Sequence, residues 1–177
     1  NPPCYKVASF ENTDHAILAA VAKTGKPVIV STGMASQAEI AESVEVLRSN
    51  GCDDIILLKC TSNYPANPVD ANLKTIPHLS ELFDCHVGLS DHTPGVGVAV
   101  VAVALGATVI EKHFVLDRNG GEVDAEFSLE PHEIKLLVEE TARAAVAIGK
   151  VSYGATEREK ASLVHRRSLY IAKDMKA

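Results

Sequence analysis

The sequence holds no CxxC pair: its four cysteines, Cys4, Cys52, Cys60 and Cys85, stand apart from one another. No signal peptide is present either, so reduced thiols in a cytoplasm are the simplest reading and a cytoplasmic location is expected. No apolar run has the length and flanks of a membrane span. Positive charge is not in excess. The formal charge of −6 argues against nucleic acid or an anionic membrane as the main partner, while leaving room for a local phosphate pocket. Two nucleotide-binding signatures are also missing. Gly25-Lys26 lacks the preceding glycine and the following hydroxyl of a P-loop. Gly95-x-Gly97 opens a helix after a strand, but the third glycine position is Val100, so a dinucleotide fingerprint is incomplete. There is no initial methionine; the chain runs from Asn1 into a strand, as expected for a piece of something longer.

What remains is an ordinary globular composition. The chain has 177 residues, 46% hydrophobic and 23% charged, enough for one domain with a substantial core. Strands are expected at Tyr5–Ser9, Pro27–Ser31, within Asp54–Lys59, at His86–Thr93 and at Thr108–Phe114. Helices follow at His15–Lys23, from Ser36 to Asn50, at Asn72–Phe83, over Gly95–Leu105 and from Pro131 to Ile148. Ser36-Gln37-Ala38-Glu39 has capping-box spacing, and Gly25, Gly51 and Gly149 stand where helices stop. Gly95–Leu105 is almost wholly Gly, Val, Ala and Leu, which predicts a buried crossover helix. Strict alternation predicts a parallel sheet with helices outside. A closed (β/α)8 barrel takes about 250 residues. Five units therefore predict a partial TIM barrel, residues 1–149, with an open doubly wound sheet as the alternative. Residues 150–177 break the pattern, offer one further strand at Ser168–Ala172, and read as a linker toward a domain outside this chain.

In parallel α/β folds, ligand sites form at the C-terminal ends of the strands. Those ends carry Lys6, Ser9 and Glu11; Ser31 and Thr32; Thr61, Ser62 and Tyr64; Ser90, Asp91 and His92; Glu111, Lys112 and His113. Hydroxyls and a lysine suit a phosphate, whose oxygens need several donors and a positive charge. Two adjacent strands ending in His92 and His113 set two imidazoles side by side, a donor pair for a borderline divalent metal. Alternation places Ser90 and His92 on one face of their strand and Glu111 and His113 on one face of theirs. Lys6 and Ser9 have opposite parity and converge only where their strand bends or ends between them. Plainer roles exist for each residue. Strand-end hydroxyls cap helices, Lys6 can be solvated, Asp91 can orient a loop, and the cysteines are read as small core residues.

With these residues assembled, the sequence resembles the bacterial sialic acid synthase family, the phosphoenolpyruvate-dependent synthases of nonulosonic acids. The motifs are Tyr5-Lys6-Val7-Ala8-Ser9, Ser31-Thr32-Gly33-Met34, Cys60-Thr61-Ser62-x-Tyr64-Pro65, Gly88-x-Ser90-Asp91-His92-Thr93, Gly106-Ala107-x-Val109-Ile110-Glu111-Lys112-His113-Phe114 and Ser128-Leu129-Glu130-Pro131. The resemblance implies a (β/α)8 barrel that condenses phosphoenolpyruvate with an open-chain N-acetylated amino sugar, giving a nine-carbon keto acid and phosphate. It implies a divalent metal, Mn2+ or Mg2+, on His92 and His113. Lys6, Ser9, Ser31 and Ser90 would hold phosphate and carboxylate, with Thr61 and Ser62 nearby. Tyr64 and Asp124 would meet the sugar, and Glu11 would handle protons as water adds.

Gly120–Ser128 looks more like the pseudaminic or legionaminic acid branch of the family. Arg166-Arg167-Ser168-Leu169-Tyr170 looks like the link to the family's antifreeze-like domain. The family's first strands carry another lysine and a glutamate, which this chain lacks, so weak or no turnover by the chain alone is expected. Open strand edges imply a homodimer or other self-association. Two other readings stand beside this one: a noncatalytic sugar- or anion-binding or assembly domain, and a barrel aldolase, which needs a Schiff-base lysine.

Overall fold

The computed structural model describes residues 2–170, 172–174 and 176. Five parallel strands, β1 (Tyr5–Val7), β2 (Val28–Ser31), β3 (Ile55–Cys60), β4 (His86–Asp91) and β5 (Val109–Lys112), pair in sequence order. A doubly wound sheet reverses its strand order at a switch point. This sheet has no reversal, so it is a half-barrel. Five helices return the chain between and after the strands: α1 (His15–Ala22), α2 (Gln37–Ser49), α3 (Thr75–Phe83), α4 (Gly97–Ala104) and α5 (Pro131–Ile148).

Local chemistry sets the helix ends. Asp14 Oδ1 accepts from the amides of Ala16 and Ile17 at 3.0 and 3.1 Å and starts α1. Ser36 and Glu39 cap each other's backbone at the start of α2. Glu130 and Glu133 do the same for α5, with Pro131 in its first turn.

Strand alternation divides the apolar residues between two media. Val7, Val28, Val30, Ile55, Leu57, Val87 and Leu89 join one core with the inner faces of the helices. The alternate residues, among them Leu58, Gly88 and Ser90, point into the half-barrel. Leu57 and Leu58 are both fully buried, as expected of a middle strand covered on both faces. At Gly88 the neighbouring backbone comes so close that an added Cβ would sit 2.2 Å from the Val109 carbonyl oxygen and 2.7 Å from Leu58 Cδ2.

Two expectations change, and one condition is met. α4 is not wholly buried: Ala99 and Ala102 are covered, but Val101 is 51% exposed. The helix lies in the outer layer, where Ala99 packs with Leu129 and Leu137, Ala102 joins the core against the sheet, and the valines partly face out. In the expected strand Ser168–Ala172, Ile171 lies outside the described residues and the others form no strand; the preceding segment 151–170 is exposed. Lys6 and Ser9 do converge, because β1 ends at Val7 and a 3-10 turn over Ser9–Glu11 brings the serine round. Among the described residues, no helix is long and apolar enough to cross a membrane.

Candidate active site

The half-barrel opens at the C-terminal ends of the strands into a cavity of about 150 Å³. It is lined by Lys6, Ala8, Ser9, Phe10, Ser31, Cys60, Tyr64, Ser90, His92, Glu111 and His113. Every strand contributes, and the lining residues are the inward-facing set or sit just beyond the strand ends. Of the expected site residues, seven therefore meet: Lys6, Ser9, Ser31, Tyr64, Ser90, His92 and His113.

The remaining four are placed differently. Thr61 turns its hydroxyl to the Asp70 carbonyl at 3.2 Å, and its own carbonyl accepts from His92 Nδ1 at 3.0 Å. Ser62 reaches the cavity edge, 3.8 Å from Cys60 Sγ. The Asp124 carboxylate lies 3.8 Å from His113 Nδ1. Glu11 is exposed at the end of the 3-10 turn and does not line the cavity.

The imidazoles of His92 and His113 have centroids 5.2 Å apart at 61°. A carbonyl cannot donate, so the Thr61 contact assigns the proton of a neutral His92 to Nδ1 and leaves the Nε2 lone pair free for a ligand. Burial pulls the His92 pKa down, but the hydrogen bonds it makes to Cys60 and to the Thr61 carbonyl outweigh it, and the net direction is up. Burial, then the neighbouring His92, hold His113 below its ordinary value. Tyr64 and Phe127 wall the pair: Tyr64 lies 4.2 Å from His92 and Phe127 lies 5.0 Å from His113, between ring centroids. Two close nitrogen donors of this kind fit a divalent ion that keeps open positions for oxygen ligands.

Beside the histidines, Lys6 Nζ lies 3.4 Å from Glu111 Oε1, and the same oxygen accepts the Ser90 hydroxyl at 2.7 Å. Ser9 Oγ accepts from the Gly33 amide at 3.0 Å, and a Cβ on Gly33 would strike the hydroxyls of both Ser62 and Ser9. The glycine thus lets three loops close around one point. Ser31 Oγ is the one buried side-chain oxygen or nitrogen without a hydrogen-bond partner among the described residues. A buried hydroxyl left unpaired is costly, so Ser31 Oγ is a group in the cavity lining with hydrogen-bonding capacity to spare.

Sequence reading grouped Glu111 with the strand-end residues but gave it no specific role, and gave no site role to Cys60 or Phe127. Glu111 had a visible signal, since it shares a strand face with His113. Cys60 had none. Burial pushes its thiol up from the ordinary 9.0, but hydrogen bonds involving His92, Ser9, Ser62 and Ser90 bring it down to about 7. It is a buried cavity residue rather than part of the apolar core between sheet and helices. Elsewhere, Glu130, His132 and Glu133 bring ligand atoms within 4.8 Å. There the carboxylates already cap α5 and hold Arg118, and His132 is exposed.

Residues 1–153 match the model of the NeuB family. The chain belongs to the NeuB family. A pseudaminic acid synthase of Campylobacter jejuni is 44% identical over 176 residues, covering 99% of this chain and 51% of that protein. An N,N'-diacetyllegionaminic acid synthase of the same species is 42% identical over 175 residues, covering 97% and 52% respectively. The crystal structure of an N-acetylneuraminic acid synthetase from Leptospira borgpetersenii, in complex with citrate, superposes with a TM-score of 0.83 at 37% identity, covering 94% of this chain and 58% of that one. The chain spans about half the length of the curated relatives it matches. Within the NeuB family frame, the half-barrel carries its inward-facing polar residues at the strand ends, where such folds bind ligands.

Proposed function

We propose that this chain carries the phosphoenolpyruvate- and metal-binding part of a nonulosonic acid synthase that condenses phosphoenolpyruvate with an N-acetylated amino sugar. The observation that carries the reading is the cavity at one sheet rim, where His92 and His113 stand 5.2 Å apart beside Lys6 and the unpartnered Ser31 hydroxyl. Its ligand-binding groups divide by chemistry. Lys6 supplies charge, and Ser9, Ser31 and Ser90 supply hydroxyls, for the phosphate and carboxylate of the enol substrate. His92 and His113 would hold the divalent ion, Mn2+ or Mg2+, whose chemistry is to polarise a carbonyl oxygen. Tyr64 and Asp124 flank the histidines on the side left for the sugar.

In the reaction, the enol carbon forms a bond to the sugar aldehyde carbon, water adds to the resulting cation, and phosphate leaves. Sequence reading gave the proton handling to Glu11; Glu111 is better placed, because its carboxylate already accepts from Ser90 inside the cavity. Lys6 Nζ lies 3.4 Å from the same carboxylate oxygen. The aldolase reading is less favoured, since Lys6 is the one lysine lining this cavity and it is engaged with Glu111.

The open edges of β1 and β5 favour pairing with another copy. Turnover by the chain alone is proposed to be weak. Four free cysteines suit a reducing compartment, and the reading places the chain in the cytoplasm.

Calorimetric titration with Mn2+ tests the metal pair. His92→Ala and His113→Ala should each bind at least about tenfold more weakly than the parent. Equal affinity in both variants would leave a noncatalytic binding domain as the better account.

A further inference from the structure

Asp91 and Lys112 play no part in the cavity, yet they form the most completely buried ion pair among the described residues. Both side chains are 2% exposed, and Lys112 Nζ lies 3.0 Å from Asp91 Oδ2. The ammonium also donates to the Thr93 carbonyl at 2.5 Å. Asp91 Oδ1 in turn accepts from the Thr93 amide at 2.9 Å and the Thr93 hydroxyl at 2.8 Å. Lys112 therefore ties down the residues on both sides of His92 while standing immediately before His113.

Register makes the position telling. Asp91 and Lys112 are partners in the last rung of the β4–β5 ladder. Beyond that rung the two strands part: the His92 carbonyl accepts from the Ala66 amide, and the His113 carbonyl accepts from the Leu129 amide. The histidines thus project from diverging segments, and the buried pair is the last cross-link behind them. Alternation puts Asp91 and Lys112 on the opposite face from Ser90, His92, Glu111 and His113, out of reach of any ligand in the cavity. Stability alone is a poor reason for such a pair, because well-packed apolar residues commonly replace a buried ion pair at no loss.

We propose that Asp91, Thr93 and Lys112 form a positioning knot that fixes the spacing and rotation of His92 and His113 from behind the sheet. The proposal rests on the metal reading above for its consequence, but not for its geometry.

The test is the double variant Asp91→Asn/Lys112→Met in the full chain. Asparagine keeps the acceptor for Thr93, methionine keeps the length of the lysine stem, and no unpaired charge is buried. Two readouts apply once thermal unfolding shows the variant folded. Mn2+ affinity by calorimetry should fall about tenfold or more, the effect expected of groups that orient metal ligands. In the metal-free protein, the nuclear Overhauser contact between the two imidazoles should weaken. A folded variant with parental Mn2+ affinity and an unchanged contact overturns the proposal. If the parent itself binds no Mn2+, the metal reading falls and the ring-to-ring contact alone decides on the knot. Should the double variant fail to fold, Thr93→Val removes one hydroxyl from the knot without stranding a charge. It should reduce affinity a few-fold and weaken the same contact, and no change in either would overturn the proposal.

Discussion

Replacing Ser31 by alanine should make the ligand-free protein more stable and its ligand-bound form weaker. Ser31 is 2% exposed and its hydroxyl has no partner, while its carbonyl accepts from Asn12 Nδ2 at 3.2 Å. That backbone bond survives the substitution, so the end of β2 should stay in place. A buried hydroxyl without a partner costs about 1–3 kcal/mol. Alanine removes that cost and gives back a little packing, for a net gain of about 1 kcal/mol. For a domain of this size, that raises the melting temperature by about 2–4 °C. With phosphoenolpyruvate bound, the hydroxyl is expected to meet a charged oxygen, a contact worth about 1.5–3 kcal/mol. Its loss should weaken binding about 10- to 100-fold. Thermal unfolding of Ser31→Ala and the parent, with and without phosphoenolpyruvate, reads both effects in one experiment. Opposite signs are the signature of a group held ready for a ligand. A variant that melts lower when ligand-free, or binds phosphoenolpyruvate as tightly as the parent, refutes the reasoning.

Alkaline pH should destabilise the fold through two other thiols. Burial holds Cys52 and Cys85 above the ordinary 9.0, so the folded state favours their neutral forms; that contribution is present below pH 9 and lost as pH rises through the raised values. Cys52→Ala/Cys85→Ala should show a shallower alkaline decline in unfolding midpoint, and equal slopes would count against the assignment. Size-exclusion chromatography should show self-association through the open edges of β1 and β5; a clean monomer across the concentration range would remove that proposal.

Much of the fold was legible because its signals are local. Asp14, the Ser36–Glu39 box and Pro131 mark helix starts by chemistry confined to one turn. The histidine pair was legible too, because two parallel neighbouring strands that end on the same residue type must present it at one rim. What escaped depends on distant neighbours. Cys60 owes its environment to Ser9, Ser62, Ser90 and His92, which come from three different segments. Glu11 follows Ser9 by two residues, yet the 3-10 turn that brings the serine inward leaves the glutamate exposed. The outward side of α4 was misread because composition shows that a helix is apolar, not which of its faces a neighbour covers.

Gly88 limits how deep the cavity can go. One step below Ser90 on the inward face, the approach of the Val109 carbonyl and the fully buried Leu58 leaves no space even for a methyl group. Two residues of strand span about 6.6 Å, so the lumen is stoppered barely a side chain's length beneath the serine. On this half of the wall the site is a shallow cup rather than a tunnel.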